Sequence, residues 1–205
     1  MKKFELTNEF ITNMFGTKLF RIRALVEFGD VEAGELGGYV EKESNLGHDG
    51  NAWVCGDARV YGDARVYGDA RVYDNAWVYG NARVSGNARV SGDARVYGDA
   101  LVYGDAQVSG DAWVCDNAWV YGDARVSGDA LVCGDGDYAY AHGFGSVNRT
   151  TTFFRLKDGG VGVRCGCFYG TLPEFRDKIR ETHGETKKAQ EYLMLADLMK
   201  LRFEK

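Results

Sequence analysis

From residue 51 to residue 134 the chain repeats one six-residue pattern of apolar and polar positions fourteen times without a slip: Asp or Asn, Ala, a variable residue, Val, a variable residue, then Gly or, at 74 and 116, Asp. Ala and Val stand two apart, as in Ala58 and Val60, so on an extended segment both point to one face and the variable residues to the other. The pattern predicts a series of short strands with a thin Ala and Val core. Gly followed by Asp or Asn, as at Gly62 and Asp63, supplies residues that enter a left-handed corner with least strain, and Asp74 and Asp116 keep that chemistry. Self-similarity at fixed spacing is the mark of a solenoid, in which a repeat buries its apolar face only against its neighbours. Helical and heptad readings fail on the period and on the recurrent Gly.

The flanks follow other rules. Residues 2–7 and 18–28 alternate or cluster apolar residues around Asn13-Met14-Phe15-Gly16, which predicts a hairpin that caps one end of the solenoid. Between Gly29 and Gly50 the phrase is degenerate, and Leu36 to Val40 and Asn45 to Gly47 read as worn turns. After Gly134, Thr150 to Arg155 and Val161 to Phe168 read as two strands joined across Lys157-Asp158-Gly159-Gly160. Thr171 with Glu174 forms a capping box, Gly184 closes the helix it starts, and a second helix spans about Lys187 to Phe203. Three parts result: a cap over 1–28, the repeats over 29–136, and a ββαα unit over 137–205.

The repeat resembles the hexapeptide-repeat family, where an aliphatic residue recurs at this period with a small residue two before it. The resemblance implies a left-handed parallel β-helix with three strands per coil, a handedness opposite to the usual crossover rule and supplied by the likeness alone. The flanks, with Arg21-Ile22-Arg23-Ala24-Leu25, Phe28-Gly29-Asp30, Gly145-Ser146, Asn148, Thr150 to Phe154, Cys165 to Phe168, Gly170-Thr171-Leu172 and Thr182-His183-Gly184, are similar to proteins of bacteriophages and prophages. That likeness implies a viral or mobile-element origin and no particular activity.

Composition narrows the classes. The formal charge of −5 gives no global attraction to nucleic acid, and no run is long enough to span a bilayer or to act as a signal peptide, so the expected location is the cytoplasm, that of the host if the chain is viral. Five cysteines argue against a disulfide framework. Cys115 and Cys133, eighteen apart, stack in adjacent coils close enough to cross-link if oxidised; in a reducing compartment they read as two free thiols. Cys165 and Cys167 lack a second ligand pair, so no metal site is expected, and no cofactor.

Sorting the outward positions by eighteen gives three unlike faces. One stacks Arg59, Trp77, Arg95, Trp113 and Leu131 beside Tyr61, Tyr79, Tyr97, Cys115 and Cys133. Stacked rings and Arg over aromatic contacts stabilise neighbouring coils, yet Tyr, Trp and Arg are also the types enriched at binding hot spots, and four tryptophans are read here as exposed. Arg59, Tyr61, Trp77, Tyr79, Arg95, Tyr97 and Trp113 are therefore candidate binding residues. A second candidate set is Ser146, Asn148, Arg149, Thr150 and Thr151, where a Gly-rich turn could offer amides, hydroxyls and a guanidinium to an anion.

No catalytic residue is assigned. The hexapeptide family includes trimeric acyltransferases that use a histidine, but residues 51–134 hold no His, and only His48, His142 and His183 remain. The sequence points to a non-enzymatic binding protein, phage-encoded as the resemblance implies, that blocks or sequesters a host protein or a small anionic signalling nucleotide. Self-association, with a trimer favoured, is expected; nucleic acid and membrane are not. The alternatives are an acyltransferase-like enzyme and a purely structural phage protein.

Overall fold

The computed structural model describes residues 2–147 and 149–204. Each of the fourteen repeats forms a two-residue rung, from Trp53–Val54 to Leu131–Val132, and a rung pairs in parallel with the rung eighteen residues on, as Val60 does with Val78 and Val90 with Val108. Successive rungs enter three sheets in rotation. Every repeat Ala and Val has no exposed surface, so the period seen in the sequence is the period of the core. Asp74 and Asp116 take the corner Gly's conformation, with φ of 61° and 52°. An L side chain there costs about 1–2 kcal/mol that Gly would not.

The backbone pattern gives the solenoid a polarity. Each rung's N–H donates to a carbonyl of the following turn, as Arg59 N does to Ala76 O at 2.9 Å. The first turn is thus left with spare carbonyls and the last with spare N–H groups, all costly to bury unpaired. Donors cap the first end: Lys3 Nζ reaches Gly50 O and Ala52 O at 3.2 and 2.8 Å, and Asn45 Nδ2 reaches Gly62 O and Ala64 O at 3.0 and 2.8 Å. Acceptors cap the other: Asp135 Oδ1, Thr152 Oγ1 and Asp137 Oδ2 take the N–H groups of Trp119, Arg125 and Cys133.

The amino-terminal hairpin, Phe4–Thr12 with Lys18–Ala24, continues into Leu36–Val40, which pairs in parallel with the rung at Arg59–Val60. This makes an eight-stranded sheet out of hairpin and solenoid together. Phe4, Ile22, Ala24, Val31, Val40 and Leu46 close the Ala and Val core at this end. Burial of Lys3 lowers its pKa to about 8, against the pull of Asp49 and Asp69.

The carboxy-terminal unit differs from the expected ββαα. It holds a four-stranded antiparallel sheet, Tyr138–Phe144, Arg149–Arg155, Val161–Cys165 and Phe168–Thr171, followed by helices α1 (Leu172–His183) and α2 (Lys187–Phe203). The alternation of Tyr138 and Tyr140 with Ala139 and Ala141 marked the missed first strand, and the turn at Gly166 and Cys167 splits the second expected strand in two. Alternation along Arg149–Arg155 joins the cores: Phe154 closes the solenoid and Phe153 packs under the helices. The capping box is as the sequence predicts, with Thr171 N donating to Glu174 Oε2 at 2.7 Å, and Gly184 closes α1 at φ 57°.

Candidate functional site

Parallel in-register pairing stacks like positions at every turn, so the eight-stranded sheet carries the Arg, Trp and Tyr column as one continuous face. The rings of Tyr61, Tyr79 and Tyr97 lie 5.0 Å apart and within 5° of parallel, and Trp113 meets Tyr97 edge-on at 6.4 Å. Beside them runs an alternating row of cations and rings. Arg59 and Arg95 both stack on Trp77, at 5.0 and 4.9 Å, and Arg95 also stacks on Trp113 at 5.3 Å.

Two members of this row come from outside the repeats. Lys157 lies 4.6 Å over Trp113, held there because its Nζ also donates to Asp111 O at 2.7 Å. Tyr39, opposite Arg59 in register, lies under Arg21 at 5.2 Å. Neither residue shows in the six-residue phrase, because each reaches the column through tertiary packing. Among the described residues Arg59, Arg95 and Lys157 enter no ion pair. Burial pushes the Tyr61 phenol up to about 12, with Tyr79 adding to the shift.

The seven candidates of this column are brought together, but they are half-buried rather than exposed. The four tryptophans, expected to be exposed, are not all so. Trp53 is 1 % exposed and packs edge-on against Phe28 under the cap, Trp77 and Trp113 are half-buried by the cations stacked on them, and Trp119 alone is open, at 48 %.

The second candidate set is dispersed. The amides of Gly145 and Ser146 already donate to Glu191 Oε2 and Tyr192 Oη, at 2.9 and 3.1 Å, so they are not free for an anion. Thr151 is a core residue whose hydroxyl donates to Cys165 Sγ at 3.2 Å, and Thr150 meets His142 Nδ1 at 2.8 Å. Asn148 lies outside the described residues. Ser146 and Arg149 both line a cavity of about 300 Å³, together with Cys165, Phe168, Phe175, Lys178, His183 and Tyr192. Arg149, His142 and Thr150 also line a cleft of about 500 Å³ against Asp105, Gln107, Asp123 and Arg125 of the solenoid.

The histidines have separate settings. His48 is part of the cap: Nδ1 accepts from Lys3 N at 3.1 Å, the ring stacks on Phe4, and Nε2 lies 2.9 Å from Glu43 Oε1. His183 stacks on Tyr192, and His142 stands at the cleft with Asp123 Oδ2 at 3.9 Å. Cys115 and Cys133, which the eighteen-residue spacing places close enough to cross-link, are joined as a disulfide at the far end of the tyrosine column, with Cα atoms 4.4 Å apart.

A family model described as YdcK Beta solenoid repeat matches residues 64–80, 76–92, 82–95, 94–110 and 118–134, all within the strict repeats. The chain is a repeat β-solenoid protein, similar over those turns to the YdcK type. No curated protein matches it. Among the described residues no helix is long and apolar enough to cross a membrane.

Proposed function

We propose that the protein is a non-catalytic interaction protein of the phage or prophage type, acting in the host cytoplasm, that presents its cation and aromatic column to a partner protein. In this reading the solenoid is a left-handed coil with three strands per turn, which serves as a rigid support. The observation that carries it is the set of three cations, Arg59, Arg95 and Lys157, placed over Trp77 and Trp113 without carboxylate partners among the described residues of a chain with a net charge of −5. Flat rings held by their neighbours lose little entropy on docking, and cations over rings suit an acidic partner surface.

The test is capture of a host protein by the immobilised chain, with Trp77→Ala plus Trp113→Ala as the comparison. Retention of a defined protein by the wild type and its loss in the variant, at about 2 kcal/mol or more per truncated ring, support the reading. Equal retention by both sinks it. Light scattering distinguishes the competing use of this face: a trimer that the double change dissolves would mean that copies of this chain cover the column.

A second reading, binding of a small anionic nucleotide, is favoured by the carboxy-terminal cavity, where Arg149 and Lys178 flank the rings of Phe168, Phe175 and Tyr192. Thermal stabilisation by nucleotides that Arg149→Ala removes would support it. Turnover of an acyl donor that His142→Ala abolishes would replace both readings with the enzyme.

A further inference from the structure

The tyrosine column ends in a different chemistry, Cys115 and Cys133 on consecutive turns, with Asp116 at the corner between them. The ligand atoms of these three side chains lie within 4.8 Å of one another. We infer that the reduced Cys115 and Cys133 pair, with Asp116, binds a soft divalent metal ion such as zinc or cadmium, and that closure of the disulfide releases it.

Register is the first reason. Parallel rungs stand ~4.8 Å apart, and two thiolates bound to one tetrahedral zinc at about 2.3 Å each need sulfurs about 3.8 Å apart, so stacked positions reach a shared ion without backbone movement. The Cα atoms, 4.4 Å apart, satisfy that span. Orientation is the second. Cys133 N donates to Asp137 Oδ2 at 3.1 Å, and Asp137 in turn pairs with Arg155 Nε at 3.2 Å, which fixes the Cys133 backbone. Residue choice is the third. Asp116 occupies, at φ 52°, a corner position that most repeats give to Gly, and it adds a carboxylate beside the thiols. Cys115 is buried while Cys133 is half-buried and Asp116 exposed, so the ion enters from the Cys133 side, and water completes the tetrahedron.

The exchange balances. Metal binding removes the two thiol protons. A small-molecule disulfide, RSSR, then accepts two electrons from the chelated thiolates: the Cys115 to Cys133 S–S bond forms, the RS–SR bond breaks, two protons are taken up to give two RSH, and the divalent ion leaves because the bonded sulfurs no longer carry thiolate charge.

The test uses the full chain, reduced under anaerobic conditions and titrated with cadmium, the thiolate to cadmium charge-transfer absorption being read. One equivalent is expected to bind with the band, a small-molecule disulfide to abolish it, and Cys133→Ser to remove it. Asp116→Gly is the second variant, because it restores the repeat's usual corner residue. It should weaken cadmium binding by about tenfold or more while leaving the melting temperature unchanged or higher. A band that survives Cys133→Ser, one that instead follows Cys55, Cys165 or Cys167, an affinity indifferent to Asp116→Gly, or a pair that stays oxidised in excess reductant overturns the inference.

Discussion

Asn45→Asp is the sharpest probe of how the solenoid is ended. Asn45 has no exposed surface, gives two hydrogen bonds to Gly62 O and Ala64 O, and accepts one from Lys42 N at 2.9 Å. The substitution keeps the shape and the acceptor, but turns the two donors into an oxygen facing carbonyls 3.0 and 2.8 Å away. Each carbonyl left without a donor costs about 1–3 kcal/mol, so the loss at neutral pH is about 2–6 kcal/mol, with a buried charge pushing it to the upper half. Once protonated, the introduced carboxyl recovers one donor, so its folded pKa lies above the unfolded ~3.9 and the variant loses stability as pH rises from about 4 towards 7. Because solenoid turns melt from an end, the damage should be local. Amide exchange should quicken over residues 36–70 and stay near wild type over residues 94–126. The control is Asn81→Asp, where the amide only bridges to exposed Asp99 at 2.9 Å and the cost should stay within about 0.5 kcal/mol. An Asn45→Asp protein within about 0.5 kcal/mol of wild type at pH 7, with unchanged exchange, would refute the donor-cap reasoning.

Two further outcomes follow from the same polarity. Lys3, lowered from 10.5 to about 8 by burial, binds fewer protons folded than unfolded between those values; measured against Lys3→Met by urea unfolding, wild-type stability should therefore rise with pH over that window, by up to about 3 kcal/mol, and a flat difference would count against a buried ammonium. At the other end Thr152→Val keeps the volume but leaves Arg125 N, now 2.9 Å from Thr152 Oγ1, unpaired; a loss of about 1–3 kcal/mol in thermal unfolding is expected, and no loss would mean that the last turn needs no acceptor.

The repeat was legible in the sequence because a single rule recurs at every turn: Ala and Val inward, a corner that accepts positive φ, and variable residues outward. Period alone then decides which side chains stack, so the columns through Arg59, Trp77, Arg95 and Trp113 and through Tyr61, Tyr79 and Tyr97 follow from the sequence. The first helix was legible for a similar reason, since Thr171 and Glu174 cap its start three residues apart and Gly184 ends it by its own backbone freedom.

What the sequence could not decide depends on groups distant along the chain. Lys3 meets Gly50 and Ala52, Thr152 meets Arg125, and Lys157 meets Trp113, and no local pattern marks such pairs. The same distance explains the fate of Ser146, Thr150 and Thr151, which looked like an anion-binding turn until Tyr192 of α2, His142 and Cys165 claimed their hydrogen bonds. Local chemistry and period wrote the solenoid; the ends, where a strictly repeating backbone runs out of partners, had to be completed by whatever the fold brought within reach, and tertiary structure alone settled which residues those were.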